Sequence, residues 1–139
     1  MWYGFSVEPV VAKSATAQAS SETAKLDVKR LMEEIATFEG FYKEGTLAQR
    51  NNNPGNLKYV TWSTTKIGLD QSNFATYATA EDGWNDLETF LRKRIEGEDT
   101  LDTLMSVYAP PRDNDTENYL QFLSNELGIP RNIKLKYLL

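Results

Sequence analysis

A mainly helical α+β domain is what the sequence predicts, with one small β-hairpin after the first of four helices. Three observations carry this. Apolar residues recur at three- and four-residue intervals in four separate stretches, the period of a helix with one buried face. Gly and Pro fall between those stretches, where helices end. Residues 57–77 break the pattern, with two short aromatic and β-branched runs around a polar turn.

The first helix is predicted over 26–39, from the spacing of Val28, Leu31, Met32, Ile35 and Phe38, with Gly40 at its C-cap. Residues 45–56 are rich in Gly, Asn and Pro and read as loop or turn. Leu57–Trp62 and Phe74–Tyr77 are expected to pair as the hairpin strands. Thr79 is the predicted N-cap of a helix over 80–96 carrying Trp84, Leu87, Leu91 and Ile95, with Gly97 after it. Thr100 caps a shorter helix with Leu101, Leu104, Met105 and Tyr108, stopped by Pro110-Pro111. Asp115 or Thr116 starts the last helix, with Tyr119, Leu120, Leu123 and Leu127 inward and Gly128 and Pro130 at its end. Ile133–Tyr137 alternates apolar and basic residues, which suits a short edge strand or an amphipathic strap.

Composition narrows the chemistry. The 139 residues include 15 Lys and Arg against 20 Asp and Glu, a net charge of −5, which argues against a nucleic-acid partner. There is no Cys and no His. Disulfides, thiol nucleophiles, Ser-His-Asp triads and His-based zinc sites are thereby excluded, and no cofactor or metal is expected. Acid–base work falls to carboxylates, Tyr or Lys. No apolar run is long enough to span a bilayer, so stable membrane insertion is not expected.

Residues 1–25 read as a flexible tail before a domain at 26–139. Lys13–Ala24 is small and polar, with little to bury. Residues 1–12 carry Trp2, Tyr3, Phe5, Val10 and Val11, the composition either of a tail folding back on its domain or of a docking peptide with aromatic anchors.

Three stretches carry candidate chemistry. Glu39 ends the first helix between Phe38 and Gly40-Phe41-Tyr42, on the face of Met32 and Ile35. A carboxyl against aromatic rings is desolvated, which favours its protonated form and suits a general acid. Arg50-Asn-Asn-Asn-Pro-Gly-Asn-Leu57 is denser in Asn than a turn requires, and side-chain amides match the hydroxyl and N-acetyl groups of a sugar. Tyr108-Ala-Pro-Pro-Arg-Asp-Asn-Asp115, followed by Tyr119, offers a rigid turn with two Tyr flanking a groove, or simply a helix–helix turn.

In this order, Phe38-Glu39-Gly40, Arg50–Leu57, Phe74–Tyr77 with Glu81-Asp-Gly83, Tyr108-Ala-Pro-Pro and Asp113–Tyr119 resemble the peptidoglycan-degrading domains carried in bacteriophage particles. Those domains belong to the lysozyme-like superfamily of goose-type lysozymes and lytic transglycosylases. The resemblance covers roughly residues 30–128 of this chain. It implies a lysozyme-like helical domain in which Glu39 is the catalytic acid at a cleft. It implies that Asn53, Gly55 and Asn56 lie near the saccharide, and that Tyr108 or Tyr119 orients the acid or the sugar. The implied substrate is the N-acetylmuramic acid–N-acetylglucosamine strand of the cell wall. The implied place is the phage virion acting on the wall in the periplasm, with other phage structural proteins as partners through residues 1–12.

A hydrolase needs a second carboxylate about 5–9.5 Å from the acid, as nucleophile or as base for a water. Asp70, Glu81 and Asp82 are the candidates. A lytic transglycosylase needs none, because the same Glu39 turns from acid to base towards the substrate's C6 hydroxyl. Two readings from other classes stand beside cleavage. An inactive lysozyme-like structural or adaptor protein of the particle would have no need of Glu39, and neither would a carbohydrate-binding module. An acidic protein is not held to an anionic wall by charge, so an enzyme with a charge of −5 is expected to be tethered to a larger particle.

Overall fold

The computed structural model describes residues 24–139, so the expected tail and docking peptide lie, all but the last two residues, outside the described part. Five α-helices are formed there: α1 Val28–Glu39, α2 Leu47–Arg50, α3 Ala80–Glu96, α4 Leu101–Tyr108 and α5 Thr116–Leu127. Between α2 and α3 lies the hairpin of β1 Lys66–Leu69 and β2 Ala75–Tyr77, and a 3-10 helix follows at Leu135–Leu138. The chain is thus mainly helical with one two-stranded antiparallel sheet. It divides into two compact units, Met32–Leu91 and the remainder, with the divisions falling inside α1 and α3.

Met32–Leu91 holds the hairpin. Met32, Ile35, Ala36, Ala48, Leu57, Val60, Ala75, Tyr77, Leu87 and Leu91 are its buried apolar residues. The register pairs Lys66 with Tyr77, Gly68 with Thr76 and Leu69 with Ala75, leaving Ile67 as a bulge. Leu57–Trp62 is not the first strand. It contributes a single bridge, Lys58 to Phe74. Tyr59 then takes a left-handed φ of 51°, and Thr61 and Ser63 donate back to the carbonyls of Tyr59 and Val60. A chain turning at consecutive residues cannot extend, whatever its β propensity. The Asn-rich loop likewise contains a short helix, α2, which Thr46 caps by accepting from the amide of Gln49.

In the other unit, the turn signals stand where the sequence puts them. Thr100 and Thr103 form a reciprocal capping box at α4. Asp115 caps α5 by accepting from the Asn118 amide, and Gly128 ends it with a φ of 66°. The hydroxyl of Thr116 donates to the carbonyl of Ala109, tying the start of α5 to the end of α4. The last residues form no edge strand but a 3-10 turn. Its Leu135 is fully buried and donates its amide to Asp99 at 2.8 Å. That anchor faces one side chain in four inward rather than every second one. Arg131 bridges Asp102 and Glu117 at 3.0 and 2.7 Å. Lys134 and Lys136 share Glu98.

Candidate functional site

Glu39 owes its place to the way α1 stops. Gly40 has a φ of 84°, its amide donates to Thr37, and the next amide, of Phe41, reaches back to Ala36 at 2.9 Å. This pair of bonds is the Schellman arrangement, which closes a helix with a left-handed residue. Thr46 then donates its hydroxyl to the Gly40 carbonyl at 2.7 Å, fixing the cap to α2. Glu39 is partly buried at this corner. Phe41 stands edge-to-face against Trp84, with ring centroids 5.6 Å apart.

The Asn-rich loop folds onto the hairpin through its side chains. Asn51 donates to Asp70 at 3.0 Å, and its carbonyl accepts from Tyr77. Asn52, with a left-handed φ of 53°, donates to the carbonyls of Tyr77 and Ala78. Asn53 has no solvent exposure. It donates to Leu57 and Ala75 and accepts from the Leu57 amide, all within 3.0 Å. Asn and Gly tolerate left-handed backbone where other residues do not, which is why this tract can reverse direction so often.

Asn56 points elsewhere. Its φ is 50°, and its Nδ2 donates to Oε1 of Glu39 at 3.3 Å. Its Oδ1 is buried without a hydrogen-bond partner, a state that costs about 1–3 kcal/mol. The arrangement is therefore a carboxyl at a rigid helix end, facing an amide donor delivered by a loop that three other Asn side chains hold in shape. In such a pair the carboxyl is the group that can give up or take a proton, and the amide N–H stabilises its negative charge.

The remaining predicted residues take other places. Gly55 is buried in the loop beside Asn53 and Asn56. Asp70 closes the hairpin turn, accepting from the amides of Ser72 and Phe74 at 2.8 and 2.9 Å. Slight desolvation works against its charge, but the Phe74 amide, the Asn51 side chain and the Ser72 amide outweigh it and hold its carboxyl below the usual range. Glu81 and Asp82 lie in the first turn of α3, where negative charge suits the helix N-terminus. The Asp82 amide donates to Thr79, the expected cap. Tyr108 and Tyr119 meet edge-to-face at 6.4 Å in the other unit. Tyr119 is 1% exposed, so its ring is core. No group of three or more acidic side chains capable of holding a metal occurs among the described residues, and none of their helices is long and apolar enough to cross a membrane.

Two supporting contacts escaped the sequence reading. A Cβ on Gly83 would lie 2.1 Å from the Asn52 carbonyl oxygen and 2.7 Å from Pro54, so α3 touches the loop backbone there. A glycine inside a helical run was the available signal. The Tyr77 hydroxyl donates to the buried Asp86 at 2.7 Å, and burial together with Asp86 pushes the phenol well above its ordinary range.

Over 109 residues the chain is 33% identical to Protein P5 of Pseudoalteromonas phage PM2, a match that spans 73% of this chain and 68% of that protein. No protein-family model matches the chain, and no solved structure matches it.

Proposed function

The chain belongs to the family of Protein P5 of Pseudoalteromonas phage PM2, and from that premise we propose that it is a phage-borne, lysozyme-like enzyme cleaving the glycan strands of peptidoglycan. The observation that carries this reading is the Asn56–Glu39 contact at the end of α1. A carboxyl held by a Schellman cap, with an amide donor aimed at it, is what a general acid needs in order to act from a fixed position. A phage relative supports placing the enzyme in the particle, where it acts on the wall that the particle must cross.

In the proposed reaction Glu39 gives its proton to the glycosidic oxygen between N-acetylmuramic acid and N-acetylglucosamine. The C1–O bond breaks, and its electron pair stays on the departing oxygen. Glu39, now a carboxylate, takes a proton from the muramic C6 hydroxyl as that oxygen closes onto C1, giving a 1,6-anhydro end. Asp70 favours this lyase form over hydrolysis, since its carboxylate already accepts two hydrogen bonds in its own turn and a third from Asn51. The test is digestion of purified peptidoglycan by the wild type and by Glu39→Gln, read by mass spectrometry. Anhydro-ended fragments that vanish in the variant are expected. Reducing ends would make it a hydrolase. No soluble product from folded wild type would leave a structural protein of the particle.

A further inference from the structure

One polar side chain of the candidate site is not used by the fold that surrounds it. Asn51, Asn52 and Asn53 each spend their amides on the hairpin or its turn. Asn56 sits on the same loop, at a left-handed φ of 50°, yet aims its Nδ2 at Glu39 and leaves its Oδ1 buried and unpaired. Turn stability does not account for that choice, because an Asn facing the hairpin would satisfy both ends.

We propose that Asn56 is a positioning residue for Glu39, its Nδ2 holding Oε1 so that the transferable proton resides on Oε2. This rests on the glycan-cleavage reading. An N–H directed at Oε1 and a proton on that same oxygen would set two hydrogens against each other, so the neutral acid carries its proton on the other oxygen. When that proton leaves for the glycosidic oxygen, Nδ2 faces a full negative charge, and the bond strengthens as the charge develops. Asn56 thus acts on the carboxyl and not on the sugar. The two roles differ kinetically: a sugar contact governs KM, whereas a positioned acid governs kcat.

The test uses the full chain and solubilised glycan strands. Asn56→Gly removes the amide while suiting the left-handed backbone, and Asn56→Asp keeps the shape but removes the donor at neutral pH. Both variants are expected to lower kcat about 10- to 100-fold while KM stays within about two-fold. In side-chain amide NMR spectra at pH 7, one Nδ2 proton of Asn56 is expected downfield in the wild type and at its ordinary position in Glu39→Ala. A raised KM with unchanged kcat, or an Asn56 signal indifferent to Glu39→Ala, overturns the proposal. A wild type that releases no fragments rejects the cleavage reading and takes this inference with it. An active wild type with unimpaired variants rejects the inference alone.

Discussion

Gly83 and Asn52 meet at a distance that leaves no room for a side chain: a Cβ on the glycine would stand 2.1 Å from the carbonyl oxygen of the asparagine. The oxygen is backbone, so it cannot swing aside as a flexible side chain would. Gly83→Ala therefore has to push α3 away from the loop. We expect it to destabilise the protein by about 3 kcal/mol, the upper part of the range for overpacked sites, as read by thermal unfolding. Gly97→Ala is the control, since the nearest non-neighbouring atom to its Cβ would be 3.4 Å away.

Asn53 should behave as core. Its three buried bonds to Leu57 and Ala75 hold the loop against the hairpin. Asn53→Ala would strand the Leu57 amide and the Ala75 carbonyl, while the Leu57 carbonyl keeps the Ala75 amide, at a cost of about 2–4 kcal/mol summed over the two groups. A denaturant midpoint that falls without a change of slope is the expected result. A residue serving only to touch sugar would leave that midpoint where it is.

Tyr77→Phe removes the one hydroxyl shown donating to Asp86, whose exposure is 8%. A buried carboxylate deprived of its donor costs about 1–3 kcal/mol. The variant is expected to unfold earlier, and Tyr77→Phe combined with Asp86→Leu to recover part of the loss, since the second change removes the stranded charge.

Acid should weaken the fold through three carboxyls. Hydrogen bonds from Lys134 and Lys136 hold Glu98 down to about 2, that from Arg131 holds Glu117 down to about 2, and Asp70 is lowered by its turn despite slight desolvation. Each folded pKa lies below its unfolded value. The stabilisation is therefore complete above about pH 5 and is lost as pH falls from about 4.5 towards 2. Melting temperature measured from pH 7 to 2 should stay level and then drop. Asp70→Asn should flatten part of the drop.

The sequence was most readable where structure is local. Gly40, Thr100, Asp115 and Gly128 stop or start helices through bonds to residues within a few positions, so their chemistry is visible in the chain itself. The first strand was not readable. Leu57–Trp62 has the stronger β composition, but Tyr59 bends it, and the partner of β2 is Lys66–Leu69, selected by register against Ala75–Tyr77. The site divides the same way. The resemblance puts Glu39 at a cleft and Asn56 near the saccharide, and the two side chains meet at 3.3 Å. Asn53 looks like Asn56 on paper, and only the three-dimensional turn sends one inward and the other to the acid.

The amide of Leu26 donates to the carbonyl of Leu138 at 2.6 Å. The stretch just ahead of α1 is thus clasped to the closing 3-10 turn. A proteolytic nick in an exposed turn such as Arg112–Asn114 would therefore leave two fragments that this backbone bond still ties together.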